Sequence, residues 1–250
     1  MPPSFKETGE VKREVRSTFD FISYDYDKLR GRIWEDLADF TTESLFLPKP
    51  SRDSLVVDLA GGNARHAIYF TEKNEVRSVA IDFSTQLLSL AKKRVDSSNM
   101  RHMVALIDAD VSEIPIRQES ANDVLFIAAI HHLPTATERL KSMQETRRIL
   151  VHGGRGVVTV WRKWQRRFVR YFVGRYLRHP LGGKATEDLG DIHIPWKSGH
   201  GATSVSRFYH LFSKRELKKL LSKSGFRIIK ISKSSKKAGE GAFFASIEKK

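Results

Sequence analysis

The run Leu55-Val56-Val57-Asp58-Leu59-Ala60-Gly61-Gly62-Asn63-Ala64-Arg65 combines a short apolar strand, a turn of small residues and the start of a helix. Further along, Val79-Ala80-Ile81-Asp82 reads as a second strand ending in an acid. A parallel sheet holds a nucleoside cofactor with parts of this kind. The turn lets backbone approach the ligand, and the acid accepts hydrogen bonds from ribose hydroxyls. Gly62 is the expected point of closest approach. Asp58, Ala60 and Gly61 share its turn, and Asp82 with Phe83 forms the ribose contact. Asp110-Val111 sits where adenine is held, with Asp108 competing for that role. The turn does not have the spacing of a dinucleotide fingerprint.

The elements that must position these residues alternate. Strands are expected at Leu55–Leu59, Val76–Ile81, His102–Ile107, Ala121–Ala129 and Gly156–Trp161, and helices at Ala64–Thr71, Ser84–Val95 and Ala136–Leu150. Ser84 is a natural N-cap, and Gly153-Gly154 is expected to close the third helix. Such alternation predicts an α/β fold with a mostly parallel sheet and helices on both faces. Ahead of it, residues 1–12 read as frayed. Helical spacing then runs through Val15-Phe19-Ile22 and Ile33-Trp34-Leu37-Phe40, separated by the polar and aromatic stretch Tyr24–Arg32. After Trp161 a basic amphipathic helix is expected over Lys163–Leu177, then a loop over His179–Ser206. Ser213 caps a helix ending at Gly225, and Phe226–Ile231 and Ala242–Ile247, joined by a turn over Ser232–Gly241, form an antiparallel hairpin at a sheet edge. There is no internal repeat. A single domain over 1–250 is expected, with a helical N-terminal cover over 1–50 and a specificity insertion over about 162–212.

The chain of 250 residues carries 44 Lys and Arg against 29 acids, a formal charge of +15. The excess is local: residues 162–178 hold seven basic residues and no acid, and 214–237 hold ten with Glu216 alone opposing them. Fields of that kind favour phosphates, and so nucleic acid. There is no cysteine, which excludes disulfides, thiol nucleophiles and thiolate metal sites. No apolar run reaches the ~18 residues that span a bilayer, and the N-terminus lacks a hydrophobic signal region. A cytoplasmic protein is expected.

The glycine turn with Asp82 resembles the first motif of class I methyltransferases, which bind S-adenosylmethionine in a seven-stranded Rossmann-like fold. Ala60 and Ala64 stand where that class usually has Gly; where such positions need positive φ, alanine costs about 1 kcal/mol. Ala128-Ala129-Ile130 would wall the methionine end. More specific is Ile130-His131-His132-Leu133 with the helix that follows it, then Asp191-Ile192-His193-Ile194-Pro195-Trp196-Lys197 and Arg207-Phe208-Tyr209-His210-Leu211-Phe212. Together with Val15–Trp34 these resemble the tRNA wobble-uridine carboxymethyl methyltransferases, over roughly residues 13–248. That family esterifies the carboxylate of 5-carboxymethyluridine in the anticodon.

The resemblance implies catalytic positions at Arg30 or Arg32, at His131 or His132, and at Asp191. It implies substrate contacts at His193, Trp196, Lys197, Arg207, Tyr209 and His210, with Tyr and Trp available to stack on bases. The chemistry fits these types. A carboxylate is ionised at neutral pH and needs positioning rather than a strong base. No metal is implied, since no further ligand stands at a suitable spacing from the histidine pair. A tRNA anticodon stem-loop is the implied substrate, gripped by the two basic segments. A small activator protein is the implied partner, pairing with a sheet edge such as Val104–Ile107. The competing functions are a small-molecule O- or C-methyltransferase and a catalytically silent RNA-binding protein of the same fold.

Overall fold

The computed structural model describes residues 8–45, 52–178, 188–197, 204–234 and 241–250. Helices α1 (Thr8–Leu29) and α2 (Glu35–Ser44) precede an alternating body: β1 (Leu55–Leu59), α3 (Arg65–Asn74), β2 (Arg77–Asp82), α4 (Thr85–Ser97), β3 (Val104–Asp108), β4 (Ala121–Ile127), α5 (Ala136–Ile149) and β5 (Leu150–Trp161). Then come α6 (Val169–Arg178), β6 (Asp191–Lys197), β7 (Ser204–His210), α7 (Lys214–Lys223), β8 (Phe226–Lys233) and β9 (Ala242–Lys249).

Seven strands form one sheet in the order β3-β2-β1-β4-β5-β9-β8. The first five pair in parallel, and β9 runs antiparallel to both β5 and β8. Neighbouring strand residues point to opposite faces. Val57 and Leu59 join a core with Met143 of α5 and Leu217 of α7, whereas Val56 joins another with Leu37 and Phe40 of α2. Strand order reverses between β1 and β4. In such sheets the ligand crevice lies there, beyond the carboxyl ends of the strands.

Four local expectations are corrected. Gly153 and Gly154 do not end α5 but lie inside β5. Leu150 already pairs with Ala121, and the register shift before Asp123↔Arg155 makes the glycines a bulge. The helix expected from Lys163 begins at Val169, because Lys163 N–H donates to Phe212 O at 2.8 Å and holds the chain extended. Within His179–Ser206, β6 and β7 form a separate two-stranded antiparallel sheet. The alternation of Ile192, Ile194 and Trp196 outranks the turn-forming composition, while 179–187 and 198–203 lie outside the described residues. Finally, α1 begins at Thr8 and runs through Tyr24 to Leu29, so part of the stretches read as frayed and as a gap is helix. Most of the turn expected over Ser232–Gly241 lies outside the described residues. No helix among the described residues is long and apolar enough to cross a membrane.

Candidate active site

The turn after β1 is left-handed at three positions: Ala60 (φ 50°), Gly62 (φ 58°) and Ala64 (φ 57°). Both alanines therefore occupy the conformation that favours glycine. Gly61 N–H donates to Ile81 O at 2.9 Å, and Gly62 N–H to Asp82 Oδ2 at 2.8 Å. Ser84 N–H donates to Asp82 Oδ1 at 2.8 Å, and the Ser84 hydroxyl caps α4. Asp82 is thus fixed at the end of β2, and burial pushes its carboxyl up to about 6. Besides these bonds and a backbone contact from Phe83, the carboxylate has acceptor sites left for a hydroxyl donor.

Asp82, Gly62, Ala60, Phe83, Asp110, Val111 and Ala128 border one cleft of about 1060 Å³, open mouth included. A Cβ on Gly62 would meet Leu87, Tyr26 and Asp82 at 3.7–4.0 Å, inside the space this cleft offers a ligand. Asp110 accepts from Ser112 N–H at 2.7 Å and from Lys12 at 2.9 Å. Burial alone would raise its carboxyl; these bonds outweigh burial and hold it below the usual range. A shaped backbone approach, a buried acid with free lone pairs and an acid beyond β3 fit the ribose and adenine of S-adenosylmethionine.

Asp58 and Gly61 do not border the cleft. Asp58 Oδ2 accepts Ala67 N–H at 3.2 Å at the start of α3, so the acid braces the turn from behind. A Cβ on Gly61 would come within 2.9 Å of that carboxylate, so this glycine is required by packing. Asp108 is exposed and pairs with Arg16 at 3.5 Å.

Helix α1 roofs the cleft with Val15, Phe19 and Tyr26. Three polar anchors hold it: Lys12 to Asp110 and Glu138, Asp20 to Ser84 at 2.6 Å, and Asp27 to Arg94 and Asn63, both at 2.7 Å. Arg30, just beyond α1, borders the cleft, whereas Arg32 is exposed and does not.

The opposite wall comes from the turn after β4 and from β7. His131 and His132 both border the cleft, so the choice between them does not arise. His132 Nδ1 lies 2.8 Å from Phe208 O and must donate, which ties this turn to β7. His131 Nδ1 accepts Trp161 N–H at 3.4 Å, leaving its proton on Nε2. Burial holds both rings neutral, His132 at about 3 and His131 well below its ordinary value. The His131 ring stacks on Tyr209 at 5.1 Å, and Tyr209 stacks on Trp161 at 4.9 Å.

Arg207 borders the cleft with its guanidinium 4.6 Å from the Trp196 ring and 5.2 Å from that of Tyr209. Arg207 Nε and Trp196 Nε1 are both buried without a hydrogen-bond partner. Neither Arg207 nor Arg30 is ion-paired among the described residues. Burial lowers the Arg207 guanidinium, and the nearby Arg30 adds to this.

Of the other expected site residues, Asp191, His193, Trp196 and His210 do not border the cleft. Asp191 Oδ1 lies 2.6 Å from His210 Nδ1, and His210 Nε2 lies 2.6 Å from Glu216 Oε1. Burial alone would raise the Glu216 carboxyl; His210, with Lys163 at 3.6 Å, outweighs it and holds it at about 2. This buried chain locks β6 and β7 to the start of α7, and neither Asp191 nor His210 reaches the cleft. His193 is exposed, with its ring edge-on to Phe208 at 5.6 Å. Lys197 ends β6, and its side chain lies outside the described residues.

Sequence reasoning did not pick out Lys12, Phe19, Tyr26, Arg65 or Trp161 as lining residues. Arg65 directly follows the glycine turn, and its Nη1 donates to Arg30 O at 3.2 Å. Its place at the start of α3 was the available signal. The helical pattern marked Phe19 only as an apolar residue.

The chain is similar to known methyltransferases in sequence and in fold. Residues 56–154 match a family model described as a methyltransferase domain. The tRNA (carboxymethyluridine(34)-5-O)-methyltransferase of Schizosaccharomyces pombe is 26% identical over 233 residues, covering 86% of this chain and 89% of that protein. A Xenopus tropicalis protein of the same enzyme name is 25% identical over 261 residues, but the match takes in only 38% of its length. Among solved structures, a Burkholderia thailandensis 1,6-didemethyltoxoflavin-N1-methyltransferase with bound S-adenosylhomocysteine superposes with a TM-score of 0.67 at 17% identity, covering 100% and 93% of the two chains. A methyltransferase in complex with the Haloferax volcanii Trm112 activator gives 0.64 at 13% identity, covering 94% and 96%.

Proposed function

We propose that this S-adenosylmethionine-dependent methyltransferase methylates a carboxylate on transfer RNA, that of 5-carboxymethyluridine at the wobble position. The observation that carries this reading is Arg207. A cleft cation without an acidic partner, flanked by two rings and backed by Arg30, is arranged for an anionic group that the protein does not itself supply. The names of the S. pombe and X. tropicalis relatives support the nucleoside, and the basic segments support its attachment to RNA.

When bound, S-adenosylmethionine supplies an electrophilic methyl group on a positively charged sulfur. Gly62 and Asp82 hold the ribose, Asp110 and Val111 the adenine, and Ala128 the methionine end. Arg207 and Arg30 orient the substrate carboxylate by charge-assisted hydrogen bonds. The nucleophile is already ionised, so neutral His131 can serve as an Nε2–H donor, and His132, whose one proton goes to Phe208 O, as a packing surface, neither acting as a base. The roof of α1 and the wall of β7 exclude water, which strengthens each of these contacts.

The proposed partner is a small activator protein pairing with a free sheet edge such as β3; the support is that one structural neighbour is in complex with an activator. The test is mass spectrometry of nucleosides from carboxymethyluridine-bearing tRNA incubated with the protein, S-adenosylmethionine and a candidate activator. Formation of the methyl ester is the expected result. Cofactor binding without any ester, with the activator present, would overturn the assignment.

A further inference from the structure

Helix α6 presents an outward face that the cleft does not use. Its one fully buried side chain, Phe172, anchors it on Tyr209 and Leu211. Around this anchor Tyr171, Val173, Tyr176 and Leu177 are exposed, the last at 71%. Trp164, on the turn before the helix, is 47% exposed and stacks on Tyr176 with ring centroids 5.7 Å apart and planes 25° from parallel. Two large rings that stack on each other while facing solvent make an apolar surface with no cover among the described residues.

Charge identifies the occupant. The aromatic residues are interleaved with Arg166, Arg167 and Arg170, all exposed, and no acid occurs between 162 and 178. The core of a protein–protein interface is depleted in charge, whereas a single-stranded nucleic-acid site combines basic side chains with stacking rings. The surface is also continuous with the cleft. Trp161 borders the cleft, and the Arg167 guanidinium lies 4.9 Å over the Trp161 ring, three residues along the chain from Trp164.

We propose that the Trp164–Tyr176 pair is a stacking platform for a nucleobase of the single-stranded RNA that flanks the nucleotide held in the cleft. Arg166, Arg167 and Arg170 neutralise the phosphates on either side. The proposal rests on the RNA reading of the previous subsection and adds to it the place where the neighbouring bases lie.

The test is the affinity of the full chain for an unmodified anticodon stem-loop RNA, by fluorescence anisotropy over a range of salt. One stacked base corresponds to roughly 5- to 150-fold in affinity. Trp164→Ala is expected to weaken binding about tenfold or more, and Tyr176→Ala similarly. Trp164→Phe should recover most of the loss. Because no cation is removed, the salt slope should equal that of the unaltered protein. Affinity for S-adenosylhomocysteine, measured in parallel, should not change and reports that the variants are folded. If the unaltered protein binds the RNA and Trp164→Ala binds it equally well, the platform is refuted and the RNA reading stands. If the unaltered protein binds no RNA, both fall. If Trp164→Ala keeps RNA affinity but loses co-sedimentation with phosphatidylserine vesicles, the face belongs to a lipid surface and the proposal is overturned.

Discussion

Replacing Arg207 by methionine should make the protein more stable and much less active. The reasoning starts from the buried, partnerless Nε beside the cleft. A buried donor left without an acceptor costs ~1–3 kcal/mol. Against this stand two cation–π contacts, on Trp196 and Tyr209, worth about 0.5–1 kcal/mol each. Methionine is unbranched and regains about 0.3–1.5 kcal/mol of sulfur–aromatic contact from the same rings. The balance is a gain of about 1 kcal/mol, which for a chain of this length raises the melting temperature by about 2–4 °C. The lost hydrogen bond to a charged group, ~1.5–3 kcal/mol, should lower kcat/KM for the carboxylate substrate by about 10- to 150-fold. Thermal unfolding of both proteins, with and without 5-carboxymethyluridine, checks the stability half, and single-turnover methylation checks the other. The nucleoside should stabilise only the arginine form. A melting temperature that falls on substitution would mean that the guanidinium is satisfied, and the carboxylate clamp would lose its basis.

Three further outcomes follow from the geometry. Asp191→Ala removes one partner of a buried His–carboxylate pair, a change that typically costs ~3–5 kcal/mol. Its melting temperature should drop by about 6–20 °C while the folded protein keeps its S-adenosylhomocysteine affinity; an unchanged melting temperature with lost turnover would instead put Asp191 in contact with substrate. On the proposed placement of the cofactor, its ribose hydroxyls bind the ionised form of Asp82, whose carboxyl burial pushes up to about 6. Calorimetry should therefore show cofactor affinity constant above that value and falling about tenfold per pH unit below it, and Asp82→Asn should abolish the dependence. Ala60→Gly relieves ~1–2 kcal/mol of left-handed strain and loses ~0.4–1 kcal/mol through a freer unfolded chain. The net gain of about 0.5–1 kcal/mol should appear as a higher urea midpoint at constant m; a lower midpoint would show that the methyl group's packing outweighs its backbone cost.

The sheet was legible because its signals are local. Apolar runs bounded by turns place β1 to β4 within two residues of their observed ends, and the Ser213 cap finds α7 with its Glu216 capping box. Composition misled where pairing decides. Gly153 and Gly154 look like a helix stop, yet Leu150 is claimed by Ala121 one strand away. Arg30, Arg207 and Tyr209, expected at the site, do border the cleft, whereas Asp191, expected as catalytic, does not. Whether an acid faces a ligand or a histidine depends on the pairing Asp191↔His210 across the two-stranded sheet, and spacing does not reveal it. Tyr26 and Arg65 escaped for the converse reason, since a helix packed over a cleft contributes lining residues from one face only.

Some of the places where this chain breaks local rules lie at or beside the cleft. Three alanines hold left-handed backbone, Ala60 and Ala64 after β1 and Ala128 after β4, on the two strands between which the sheet order reverses. Each carries a penalty that glycine would avoid. Beside them lie the raised carboxyl of Asp82 and the unpartnered Nε of Arg207. Strain and unsatisfied polar groups persist only where the surrounding structure holds them in place. Here that structure is the braced turn behind Asp58, the three anchors of α1 and the Asp191–His210–Glu216 chain beneath β7. None of these supports needs to touch a ligand. On the proposed reading, their common effect is to hold the turn after β1 and the guanidinium wall at a fixed separation, the quantity on which in-line methyl transfer would depend. Variants in the braces should therefore lose stability and turnover together, whereas variants in the wall should separate the two.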